Sequence, residues 1–230
     1  ILSFYPENTD ALYYSAKCYK GNEELDAALA ELEKLEAIIS PETDHLKLKA
    51  SIFHDQAEYD KAIIAYDQSI ELAPNDEVLY WRRGRAKTAN SDHKGALEDF
   101  LKSIELDPEV IGGHYQVGLV LIKMKKFDEA LLKFDYLIEE SPGYSDYYYH
   151  KYRIHYKTNN FEKALKDLTT AITTDYNDYD TIEHTFERGR FNMETGKYDE
   201  ALNDFETVRN SGQIEFIKSL NLPELNILIE

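Results

Sequence analysis

Cysteine is almost absent from this sequence of 230 residues: Cys18 stands alone. One thiol excludes an internal disulfide and any metal site built from several cysteines. Its place in an apolar helical pattern is read as a small core position. Positive charge is also scarce. Against 44 aspartates and glutamates there are 26 lysines and arginines, a formal net charge of −18. A surface of that sign does not suit nucleic-acid phosphates or anionic membranes, both of which are bound by clustered cations. No apolar run approaches the ~20 residues of a membrane-spanning helix. The sequence opens ILSFYPEN, without an initiator methionine and without a signal-peptide pattern. It therefore carries no legible cellular address, and the cytoplasm is only the default expectation.

Catalytic signatures are missing too. There is no HExxH, no CxxC, no nucleophile elbow and no glycine-rich phosphate loop. The histidines (His45, His54, His93, His114, His150, His155 and His184) are scattered. His150 and His155 lie five residues apart, which is not the i, i+4 spacing of a helical metal pair. The acid-rich link Asp175–Asp180 lacks the glycine and the downstream glutamate that a calcium loop needs. The expectation is a chain that is not an enzyme and holds no metal and no cofactor.

What the sequence does have is a period. Alanine recurs at Ala28, Ala62, Ala96, Ala130, Ala164 and Ala201, at intervals of 34 residues with a last one of 37. Four residues after each comes a large side chain: Leu32, Tyr66, Phe100, Phe134, Leu168 and Phe205. Twelve residues before each stand Ala16, Ala50, Gly84, Gly118, Tyr152 and Gly189. Prolines fall in phase at Pro6, Pro74, Pro108 and Pro142, with Pro41 one residue out. A small residue on each of two helices lets their axes approach closely, and proline stops the second helix. One such pair cannot bury its apolar face alone, so copies must stack. The exception is Tyr152, where the two helices must splay or the ring must pass its partner.

A 34-residue helix–turn–helix period with this small, large and proline pattern resembles the tetratricopeptide repeat. The resemblance covers nearly the whole chain. It implies an all-α fold, a right-handed superhelical solenoid of about six repeats. The repeats are read as 9–42, 43–76, 77–110, 111–144, 145–178 and 182–212. Residues 1–8 read as the end of a preceding repeat, so a longer array is expected. Residues 213–230 read as a C-terminal capping helix or helices, with Ile214, Ile217 and Leu220 on one face.

In that family the first helices line a concave groove. The resemblance then places one recurring position on the groove: Tyr13, Lys47, Trp81, Tyr115, Tyr149 and Phe186. One turn on come Lys17, Ser51, Arg85, Leu119, Arg153 and Arg190. An acidic protein thus lines its groove with aromatics and cations. The candidate binding residues are Tyr13, Lys17, Trp81, Arg85, Tyr115, Tyr149, Arg153, Phe186 and Arg190. Rings supply contact area at low entropic cost, and arginines grip carboxylates bidentately. The expected partner is an extended peptide segment with apolar and acidic side chains.

The bland reading is that the rings pack between repeats while the arginines neutralise acids. Two other readings stay open: stacking of carbohydrate or another small ligand on Trp81, Tyr115 and Tyr149, and a structural spacer that self-associates through its terminal helices. Some relatives clamp the acidic tails of heat-shock chaperones with Lys and Asn, then Asn, then Lys and Arg. The closest window here offers Lys47 and Ser51, Arg82, then Gly112 and Gln116. The asparagines and the last cations are missing, so no such clamp is expected.

Overall fold

The computed structural model describes residues 8–174 and 178–212. Three expectations lie outside the described residues: the end of a preceding repeat at 1–7, much of the acid-rich link, and the capping segment 213–230. Among the described residues every element is an α-helix. The chain divides into two compact units, residues 1–126 and 127–230. The first unit holds α1 (Thr9–Gly21), α2 (Leu25–Glu36), α3 (Thr43–Asp55), α4 (Tyr59–Leu72), α5 (Glu77–Ala89), α6 (His93–Leu106) and α7 (Ile111–Lys123). The second holds α8 (Phe127–Glu140), α9 (Ser145–Lys157), α10 (Phe161–Thr174), α11 (Asp178–Glu194) and α12 (Tyr198–Asn210). Within the units, α1 packs with α2, α3 with α4, α5 with α6, α9 with α10, and α11 with α12.

The periodic small residues explain that pairing. Ala28, Ala62, Ala96, Ala130 and Ala164 are wholly buried, as are Ala16 and Ala50. In three of the pairs the fit is complementary in size. A Cβ added at Gly84 would lie 2.8 Å from Cε1 of Phe100, and one at Gly189 would lie 2.7 Å from Cε1 of Phe205. Glycine therefore stands where a phenylalanine of the paired helix presses in. Alanine stands at Ala16, where the paired residue is the smaller Leu32. Tyr152 reverses the order against Leu168. Its ring is buried and runs past α10 to α11, where it meets Phe191 at 6.5 Å.

The turns that follow α1, α3, α5, α7, α9 and α11 each contain one residue in the left-handed region: Glu23, Ala57, Ser91, Lys125, Asn159 and Gly196, with φ between 57° and 78°. These six follow the same 34- and 37-residue intervals as the alanines. Only the last is glycine, the residue that enters this region without steric penalty. Asp92 caps α6: its carboxylate accepts the N–H of Gly95 at 3.0 Å. Asn8 caps α1 and Asp76 caps α5 in the same manner, satisfying N–H groups that a helix start leaves open.

Two readings need correcting. Cys18 is exposed, not a core residue. The buried face of α1 carries Leu12 and Ala16, and Cys18 lies two residues from Ala16, about 200° round the helix. The second correction concerns charge. The acidic residue three after the repeat alanine is buried in four repeats, at Glu31, Asp99, Asp167 and Asp204. Asp99 accepts from Arg83 Nε at 2.9 Å and Nη2 at 2.6 Å, and from Lys87 Nζ at 2.8 Å. Asp204 accepts from Arg188 Nε at 3.1 Å and Nη2 at 2.6 Å, and from Asn192 Nδ2 at 3.2 Å. Asp167 meets His155 Nδ1 at 2.6 Å. Part of the acidic excess is thus internal and structural.

Candidate functional site

The first-helix face of residues 1–126 carries five of the candidate residues. Tyr13 on α1 is half-buried; its ring lies 5.2 Å from that of His45 on α3, and Lys17 Nζ sits 5.5 Å from its centroid. Lys47, at the same position of α3, is held by Asp76 at 2.6 Å. On α5, the guanidinium of Arg85 lies over the Trp81 ring at 4.9 Å. Tyr115 on α7 is half-buried. The i, i+4 spacing thus brings each of two rings to its own cation, as cation–π contacts.

Beside Trp81 the same face opens into a cleft of about 150 Å³ between α1, α3, α4 and α5. Its cations are Lys20, Arg82 and Arg85, and Ser51, His54, Asp55 and Tyr66 complete the wall. Lys20 and Asp55 neutralise each other at 2.7 Å. Neither Arg82 nor Arg85 forms an ion pair among the described residues. Arg82 instead lies near the Tyr66 phenol, whose pKa burial raises against the pull of both arginines. Burial, then the charge of Arg85, holds His54 below the usual imidazole range, so it is neutral at pH 7. The cleft therefore presents two guanidiniums and neutral donors, which suits an anion. Arg82, weighed above only as a clamp position, lies three residues before Arg85. That i, i+3 spacing was the available signal.

Residues 127–230 arrange their share of the stripe differently. Tyr149 stacks on His184 of α11 at 4.5 Å and 28°. Burial, with Glu187 and Glu183 adding to it, pushes its phenol up to about 12. Arg153 is exposed. Arg190 pairs with Glu187 at 3.2 Å, and burial still raises that carboxyl. Phe186 is not a groove residue. It is 2% exposed and its ring lies 5.6 Å from Phe205 on α12. Gly189, one turn further along α11, admits Phe205 to that place. A larger cleft of about 480 Å³ lies elsewhere, among Leu165, Thr169, Arg188 and Asn192. Its guanidinium is committed to the buried Asp204, so it is weaker as an anion site.

Among the described residues no group of three or more His, Cys, Asp or Glu side chains could hold a metal ion. No described helix is long and apolar enough to cross a membrane.

Profiles described as tetratricopeptide repeat match residues 48–76, 78–110 and 149–212. Serine/threonine-protein phosphatase 5 of Mus musculus is 28% identical over 130 residues, which is 52% of this chain and 26% of that protein. The chain thus spans about a quarter of the length of this curated relative. A tetratricopeptide repeat protein of Parabacteroides merdae superimposes with a TM-score of 0.68 at 19% identity, covering 98% of this chain and 86% of that one. YrrB, described as a TPR protein with an unusual peptide-binding site, gives a TM-score of 0.65 at 21% identity over 79% of this chain and 94% of its own. At these identities the structural likenesses speak to the fold alone. The internal period, the helix pairs and the family profiles agree, and the chain belongs to the tetratricopeptide repeat family.

Proposed function

We propose that the chain is a non-catalytic protein-interaction scaffold whose first-helix face binds an extended peptide segment with acidic and apolar side chains. One observation carries the reading. In a chain of net charge −18, two guanidiniums without carboxylate partners line a cleft beside an aromatic stripe. A carboxylate entering beside Arg82 and Arg85 gains charge-assisted hydrogen bonds, and Trp81 beside Arg85 offers apolar area. The family, and the peptide-binding site in the description of YrrB, support the same class of function.

The carbohydrate reading is less well supported. A sugar lying across several repeats needs several free ring faces, and Tyr149 is already stacked on His184. Lys47, the first clamp position, is bound to Asp76, which favours a groove of different chemistry from the chaperone clamp. Self-association through residues 222–230 remains a separate proposal.

Trp81 is the only tryptophan, so its emission reports on this face. Titration with a capped peptide of alternating glutamate and leucine should shift that emission. Affinity should fall about tenfold or more between low and high salt, because the contact is between charges. The Arg82→Glu/Arg85→Glu variant, checked for unchanged helicity, should lose binding. Equal binding by both forms, or binding indifferent to salt, would remove the reading.

A further inference from the structure

In two places a ring on one first helix is covered by a histidine of the next. Tyr13 on α1 meets His45 on α3 at 5.2 Å, and Tyr149 on α9 meets His184 on α11 at 4.5 Å. The register is the same in both. The ring stands fifteen residues before the alanine of its own repeat, and the histidine seventeen before that of the next. Trp81 occupies the ring position of α5. The matching position of α7 is Gly113, preceded by Gly112. Among the described residues no ring stacks on Trp81.

The chain cannot supply that ring from position 113. A Cβ there would lie 2.9 Å from Ile104 Cγ1 and 3.1 Å from Val110 Cγ1, so packing against α6 keeps the position bare. The indole N–H of Trp81 is buried and has no acceptor. It lies close under Gly112, whose added Cβ would be 3.9 Å from Nε1. A buried donor without a partner is destabilising until one arrives. The turn that shields it opens α7 with two glycines, the ordinary residues least favourable to a helix, so a small shift there meets little resistance.

The geometry points to Trp81 as the receptor for a ring supplied by a partner: a phenylalanine, tyrosine or histidine side chain in an extended acidic segment. It takes the place that His45 and His184 take on the equivalent rings. The carboxylates beside it reach Arg82 and Arg85, on the same helix as Trp81. A carbonyl of the segment satisfies the indole N–H as the first turn of α7 yields. Rings are preferred to aliphatic side chains because an indole face favours offset stacking. This inference rests on the groove reading and adds the side chain that gives the groove its selectivity.

The test uses three capped peptides: phenylalanine between glutamates, alanine between glutamates, and phenylalanine between lysines. Each is titrated against the whole chain while Trp81 emission is followed. The first should bind about tenfold tighter than either of the others. Gly112→Leu places a side chain over the ring at an exposed position and improves helix propensity, so the fold is kept. It should abolish the preference for phenylalanine while leaving the weaker acidic binding. Trp81→Leu, followed by calorimetry, should do the same. If both glutamate peptides bind equally well, the ring site is wrong and the groove reading stands. If neither glutamate peptide binds, both are wrong.

Discussion

Gly84 and Phe100 are fitted to each other: the ring edge occupies the place of the side chain that glycine lacks, 2.8 Å from where a Cβ would stand. Gly84→Ala should therefore destabilise the chain by roughly 1–3 kcal/mol, the usual range for overpacking. The cure is already present at Ala16 and Leu32. The double variant Gly84→Ala/Phe100→Leu should recover most of the loss, and urea unfolding of the two singles and the double measures the coupling. Additive losses would mean that the two residues do not share the space.

The left-handed turn residues give the opposite kind of prediction. Ala57 has φ of 59°, where its Cβ crowds the following carbonyl. Ala57→Gly should raise stability by about 0.5–1 kcal/mol, the relief of strain outweighing the extra freedom of the unfolded chain. Gln68→Gly, at an exposed position inside α4, should lower stability because it adds freedom to the unfolded chain without relieving strain. Thermal unfolding of both variants separates strain from a general effect of glycine.

Asp99 is 3% exposed and receives three charged hydrogen bonds from Arg83 and Lys87. Asp99→Ala should cost about 3 kcal/mol, because it strands two half-buried cations. Arg83 keeps its contact with Asp67, which limits the loss. Denaturant midpoints at pH 7 measure it. A loss within ~0.5 kcal/mol would place this network with ordinary surface pairs.

Acid should weaken the fold through its histidines. Burial, then Arg153 and His184, lowers His150 to about 4 from an ordinary 6.5. Above pH 6.5 the imidazole is neutral in both states and its contribution is complete. As pH falls from 6.5 to about 4 the unfolded chain takes up a proton that the folded chain refuses, and stability drops. The loss is on the order of 3 kcal/mol. His54 is lowered in the same sense. Chemical denaturation at stepped pH should show the slope, and His150→Phe should flatten it, since His150 already stacks on Phe134.

The repeat was legible because its alanines and their large partners mark contacts between residues close in sequence, so position maps directly onto packing. The left-handed turns were not legible, since four of the six are occupied by residues that do not signal the conformation. Cys18 was misplaced because a loose apolar pattern does not fix rotation; the arc from Leu12 and Ala16 does. Phe186 matched the groove position by counting, yet the space beside Gly189 decides where its ring goes. The histidines on Tyr13 and Tyr149 were the recoverable omission. His45 and His184 each stand five residues before a periodic small residue, and that phase was open to inspection.

Across all six repeats the first-helix contact position (small in five, Tyr152 in the other) lies twelve before the alanine, and the turn residue precedes the alanine by five. Only the distance from one pair to the next varies, once, by three residues. The chain is thus punctuated: length is invariant within each hairpin and adjustable at the joints. A recombined or lengthened descendant should be spliced at those joints. The left-handed turns, each a fixed distance from the packed positions of its two helices, leave no room for an added residue.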